Sequence, residues 1–204
     1  MYIPDINRHT DRADIVDFIR AYPFANFISV IDGRPFATPL PFMLDIVDDQ
    51  VVLLGHFAKE NPHSAHLLNQ DHLVIFQVPH AYITDADYIR PSVPTWNYVA
   101  IHAYGIAHII DDDQEVRSLM MRTLHHFDPK AVDRWPLLNT EKQNALLRGI
   151  VCFKISVTDL QAKYKLSQNK MKQERQQVID RLERKDSGTE RDLAELMRKM
   201  EERL

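Results

Sequence analysis

The chain has 204 residues, 45% hydrophobic and 26% charged, enough to bury one core of ordinary domain size and carry appendages. A formal net charge of −4 gives the whole molecule no general attraction for nucleic-acid phosphates, whose binding rests on Lys and Arg. The single cysteine, Cys152, lies in the apolar run Ile150-Val151-Cys152-Phe153, which excludes an intrachain disulfide and a cysteine-built metal site.

Thr10 or Asp11 can cap a first helix whose Ile15, Phe18, Ile19 and Tyr22 share a face, and Pro23 stops it. Phe24–Ile31 and Pro35–Leu44 read as two strands joined at Asp32-Gly33. Pro39 and Pro41 lack the N–H a ladder needs, so residues 37–42 belong at an edge, a bulge or an irregular stretch. Val51–Phe57 is a third strand, and Asn61-Pro62 reads as a cap and first position of a short helix reaching Leu68.

His72–Val78 reads as a buried strand, and Thr95–Ile110 as a β-rich segment broken at Gly105. Asp111–Phe127 has helical spacing, a short helix is expected near Gln143–Leu147, and Ile150–Val157 is the last strand. Beyond Asp159 the composition turns to Lys, Gln, Glu and Arg, with helices expected around Lys172–Arg184 and from Thr189. Leu193, Leu196, Met197, Met200 and Leu204 form a narrow apolar stripe on the second, suited to docking on its own body or on a partner. Residues 161–204 carry 12 Lys and Arg against 9 Asp and Glu, so a mildly basic tail follows an acidic body.

No apolar window reaches membrane-spanning length and the first residues lack a basic, apolar leader, so no membrane association and a cytoplasmic location are expected. The ten histidines lack the supporting cysteine or carboxylate pattern of a metal site, and none is expected. No nucleophile elbow or Ser–His–Asp string is visible, so no catalytic residue is nominated.

Several polar and aromatic strings exceed what a bare barrel needs. They are Met1-Tyr2-Ile3-Pro4, Ala37-Thr38-Pro39-Leu40-Pro41-Phe42, Gly55-His56-Phe57-Ala58-Lys59-Glu60-Asn61-Pro62 and Ile75-Phe76-Gln77. Pro79-His80-Ala81-Tyr82-Ile83, Val93-Pro94-Thr95-Trp96-Asn97-Tyr98-Val99 and Lys165-Leu166-Ser167-Gln168-Asn169 follow. In wording and order this set resembles the PaiB-like family. The resemblance implies a mainly β, α+β fold: an FMN-binding split β-barrel over residues 1–168 with a helical C-terminal extension over 169–204. It also implies FMN as cofactor, a homodimer with flavin sites at the subunit interface, and a role as negative transcriptional regulator.

Carried onto this chain, the resemblance nominates His56, Lys59 and Asn61 for the phosphate, where charge-assisted donation suits a dianion. Without it, Lys59 reads as a solvated lysine and Asn61 as a helix cap. The backbone of Thr38, Pro39 and Leu40, freed from a ladder, could meet the edge of the isoalloxazine ring. Thr95, Trp96 and Asn97 would border the ring, with Trp96 and Tyr98 on one face of a strand; taken alone, those aromatics suit a core. Lys165, Gln168 and Asn169 could reach the partner's flavin, or Asn169 could simply cap the next helix.

Two other functional classes fit the same residues: a flavin-dependent oxidoreductase or flavin reductase acting on a small molecule, and a cofactor-free dimeric interaction protein. No helix-turn-helix is evident, so any regulatory role could run through DNA or through a protein partner.

Overall fold

The computed structural model describes residues 1–202, so Leu204 of the C-terminal stripe lies outside the described residues. Nine strands and six α-helices occur among them. The strands are β1 Arg8–His9, β2 Phe24–Ile31, β3 Arg34–Pro41, β4 Met43–Val47, β5 Gln50–Ala58, β6 Asp71–Phe76, β7 His80–Ile83, β8 Thr95–Ile110 and β9 Ile150–Lys165. The helices are α1 Arg12–Ala21, α2 Asp113–Phe127, α3 Pro129–Arg134, α4 Thr140–Arg148, α5 Lys172–Glu183 and α6 Gly188–Glu201. The sheet is ordered β3-β2-β6-β8-β9-β5-β4, with β1 added to β9 and β7 to β8, and the path does not close. The architecture is mainly β with flanking helices, as the sequence leads one to expect.

The β2–β3 hairpin shows how sequence sets local structure. Asp32 and Gly33 both take positive φ, 51° and 76°, which a two-residue turn between twisted strands requires. That turn makes Ile31 and Arg34 the first hydrogen-bonded pair, and pairing then alternates along the register. Pro35, Pro39 and Pro41 oppose Val30, Asn26 and Phe24, all at non-hydrogen-bonded positions, so three residues without an N–H fit a regular strand. β3 ends the sheet path, which fulfils the expectation of an edge.

Two features depart from the sequence reading. Residues 95–110 form one unbroken strand, because Gly105 supplies room rather than a break: a Cβ there would lie 2.3 Å from the Ser156 carbonyl oxygen. The last strand extends to Lys165, eight residues past the expected end, since its burial alternation continues through Ala162 and Tyr164.

The chain divides into two compact units. One comprises residues 1–18, 76–102 and 161–204, the other 19–75 and 103–160. In the first, the α6 stripe is docked: Leu193, Ala194 and Met197 are buried with Val178, Ile179 and Leu182 of α5. Arg175 pairs with Glu201 and Arg181 with Asp87, at 2.7 Å in the second case. In the second unit the core is aromatic, with Phe153 centred 5.3 Å from Phe27 and 4.9 Å from Phe57.

Candidate functional site

In the unit of residues 19–75 and 103–160, β5 ends at Ala58 and Lys59 follows in a turn. The Lys59 backbone N–H donates to the Gly149 carbonyl at 2.9 Å, fixing the turn beside the end of α4. The Lys59 ammonium is exposed, and among the described residues it has no ion pair or hydrogen-bond acceptor. Asn61 is a cap, as its residue type suggests, but of a single 3₁₀ turn over Pro62–Ala65 rather than a helix to Leu68. Its Oδ1 accepts from the His63 N–H at 3.0 Å, and its Nδ2 donates to the Thr38 hydroxyl at 3.1 Å. Thr38 and Asn61, nominated separately from the sequence, are thus directly joined. His56 opposes Cys152 across β5 and β9, and burial lowers its pKa, so it is neutral near pH 7.

In the register of β3, Thr38 and Leu40 turn their backbone groups toward β2. Of the three nominated residues only Pro39 directs its carbonyl to the open edge. The Leu40 side chain is buried in the core.

Behind Asn61 lies a polar triad, Ser29, His63 and His72, that sequence reasoning did not single out. The Ser29 hydroxyl sits 3.0 Å from His63 Nδ1 and 2.8 Å from His72 Nδ1, and His72 Nε2 is 2.8 Å from the Leu67 carbonyl. A carbonyl only accepts, so His72 carries its proton on Nε2. Neutral His72 then accepts at Nδ1 from the Ser29 hydroxyl, whose oxygen accepts in turn from His63 Nδ1–H. This leaves His63 Nε2 bare, buried and without a partner among Phe27, Phe36 and Phe57. Burial, with the nearby His72 and His66 adding to it, pushes the His63 pKa down to about 4. The signal available in the sequence was Ser29 and His72 on neighbouring strands, yet the pairing that brings them together is not local.

In the other unit, five of the six nominated residues line one pocket of about 300 Å³: Thr95, Asn97, Lys165, Gln168 and Asn169. Lys165, at the end of β9, donates to the Thr95 hydroxyl and to the Trp96 carbonyl, the latter at 2.7 Å. Burial and the neighbouring Lys163 lower its pKa. Gln168 accepts from the Leu166 N–H at 2.7 Å and donates to the Tyr164 carbonyl, bracing the turn that follows the strand. Within that turn Ser167 is buried with φ of 64°, a strained conformation for a residue with a side chain. Its hydroxyl accepts from the buried Asn97 amide at 2.9 Å and lies 3.3 Å from the Tyr88 hydroxyl.

Trp96 turns away from this pocket. It is 52% exposed, with Tyr82 edge-on at 5.9 Å and His80 at 5.8 Å between ring centres. The Trp96 and Tyr98 side chains share a strand face, and that face is not core. Asn169 is exposed and does not cap α5; Glu174 does so instead, accepting the Met171 N–H at 3.0 Å. The same carboxylate also takes the N–H groups of Ile89 and Arg90 at 2.9 and 3.2 Å. Among the described residues no group of three or more His, Cys, Asp or Glu could hold a metal ion, and no helix is long and apolar enough to cross a membrane.

Comparison with solved structures shows what kind of fold carries these features. A flavocytochrome, Anf3 from Azotobacter vinelandii, superposes with a TM-score of 0.61 over 76% of this chain and 68% of its own, at 16% identity. The FAD and heme binding protein from Mycobacterium smegmatis gives 0.58 over 78% and 73%, at 20% identity. The fold is that of the flavin-binding split-barrel proteins. In sequence, residues 1–159 match the family described as "Putative FMN-binding domain". The chain is also 37% identical to the protease synthase and sporulation protein PAI 2 of Bacillus subtilis, over 97% of this chain and 96% of that one. It belongs to this PaiB-type family of FMN-binding domains, for which a flavin is the cofactor.

Proposed function

We propose that this chain binds FMN and acts as a flavin-dependent negative regulator of gene expression. The observation that carries the cofactor reading is the convergence of Thr95, Asn97, Lys165, Gln168 and Asn169, separated by up to 74 positions, on one pocket built around a strained Ser167. Backbone strain persists where surrounding bonds over-determine it, and such places are commonly ligand sites. Lys59, an ammonium without a protein partner beside a turn braced by Asn61, suits the phosphate. In a homodimer the pocket of one copy would serve the flavin held at Lys59 of the second.

The regulatory part rests on the Bacillus relative, whose name ties it to protease synthesis and sporulation. An indirect route, through a protein partner, fits the charges better than direct DNA contact. The net charge is −4, and in the C-terminal helices Arg175, Arg181, Arg198 and Lys199 are already engaged by carboxylates.

The test is an absorbance titration of purified, desalted protein with FMN, comparing the wild type with Lys59→Ala and Lys165→Ala. Saturable binding that both substitutions weaken supports the reading, and a wild type that binds no FMN rejects it. Retention on DNA that falls steeply with added salt would overturn the indirect route.

A further inference from the structure

A cavity lined by the nominated phosphate residue Lys59 lies wholly within the unit of residues 19–75 and 103–160. It measures about 410 Å³, and its wall includes Lys59, Arg117, Asn144 and Arg148 together with Asp111 and Asp113. Arg117 and Arg148 are not among the residues nominated from sequence, and neither is in salt-bridge contact with a carboxylate among the described residues.

Arg122, Arg134, Arg175 and Arg181 each meet a carboxylate. Arg117 instead donates to two amide oxygens, Gln143 Oε1 at 3.2 Å and Asn144 Oδ1 at 3.0 Å. Gln143 is itself fixed by donating to the Trp135 and Leu138 carbonyls at 3.2 and 2.9 Å. The Arg117 guanidinium is therefore held in place by neutral groups, with no carboxylate in contact with it among the described residues. Arg148, in the last turn of α4, has no carboxylate or amide partner among the described residues. The bond from Lys59 N–H to Gly149 brings the third cation to the same wall.

Lys59, Arg117 and Arg148 line one cavity with no carboxylate in salt-bridge contact among the described residues, and a phosphate entering it meets all three as charge-assisted donors. Asp111 and Asp113 stand on the same wall, likewise without a cationic partner, and carboxylates of this kind accept from hydroxyl groups. Val116, Leu147 and Ile150 supply an apolar floor. A ligand with a phosphate at one end and a hydroxylated carbon chain behind it satisfies all three surfaces.

We propose that this cavity takes a polyol phosphate, and that Arg117 and Arg148 join Lys59 in holding the phosphate while Asp111 and Asp113 accept from the polyol. The proposal rests on the FMN reading, because the ribityl phosphate of FMN belongs to this class. It assigns that end of the flavin to two arginines and two aspartates supplied by the segment between β8 and β9 that carries α2 and α4.

The experiment compares FMN with riboflavin, which lacks the phosphate, by fluorescence quenching in the wild type, Arg148→Gln and Arg117→Lys, with thermal melting as a check of folding. The expected result is FMN affinity reduced roughly tenfold or more in Arg148→Gln, as loss of one charge-assisted contact predicts. Riboflavin affinity should be unchanged, and inorganic phosphate should compete with FMN in the wild type but weakly in the variant. Undiminished FMN affinity in both folded variants overturns the proposal while leaving FMN binding intact. A wild type that binds neither flavin rejects the FMN reading itself, and ribitol 5-phosphate then decides the cavity: a wild-type melting shift absent in Arg148→Gln sustains it, and no shift ends it.

Discussion

The hydroxyl of Ser167 and the amide of Asn97 lie 2.9 Å apart, both buried, across 70 positions of sequence. The bond joins the turn after β9 to the strand face that lines the nominated pocket. Ser167→Ala would leave the Asn97 amide without its oxygen acceptor and remove the partner of the Tyr88 hydroxyl, while the positive φ remains. A loss of about 1–3 kcal/mol is expected from a buried donor left unsatisfied, measured by urea unfolding, together with weaker FMN binding.

His63 predicts a pH dependence. In the unfolded chain a histidine titrates near 6.5, whereas in the fold His63 takes a proton only near pH 4. Between these values the unfolded chain binds a proton that the folded chain refuses. The contribution of His63 is therefore constant above about pH 6.5 and falls as pH drops toward about 4, by roughly 3 kcal/mol in all. His63→Phe should flatten the stability curve in this window by up to one proton, which unfolding at a series of pH values will show. His72 and His56, also lowered by burial, keep part of the slope.

At Gly105 a methyl group would meet the Ser156 carbonyl oxygen at 2.3 Å and the Ile155 side chain at 2.8 Å. Backbone cannot yield cheaply there, because it belongs to the adjoining strand β9. Gly105→Ala is expected to cost about 1–3 kcal/mol or more as overpacking, whereas Gly188→Ala, with nothing within 4 Å, should be close to neutral. Thermal melting of the two variants tests the contrast.

Asn61→Ala removes both the cap of residues 62–65 and the tie to Thr38. About 1 kcal/mol of stability should go with them, and the turn carrying Lys59 should lose amide protection in hydrogen exchange.

Much of this was legible in the sequence because it is local. The capping role of Asn61, the prolines that demand an edge, the Asp32-Gly33 turn and the stripe of α6 each follow from residue type and spacing. The ordered motif strings were enough to place the chain in its family and to nominate residues that do share a pocket. What could not be read is what depends on register between distant strands. Trp96 and Tyr98 alternate as core residues would, but in the fold Trp96 is exposed and Tyr98 half-buried, beside Tyr82 and His80 of β7. Likewise Gly105 has the look of a strand breaker until Ser156 is placed against it, and nothing near Arg117 in sequence announces Lys59.

The three prolines of β3 have a consequence for association. At the positions facing outward along that edge, only Ala37 retains an N–H; Pro35, Pro39 and Pro41 offer carbonyls alone. A foreign strand approaching the edge would find acceptors with almost no donors, and could not form a ladder there. The hairpin is thereby guarded against edge-to-edge aggregation, and any pairing of two copies must use side chains rather than continuation of the sheet through β3.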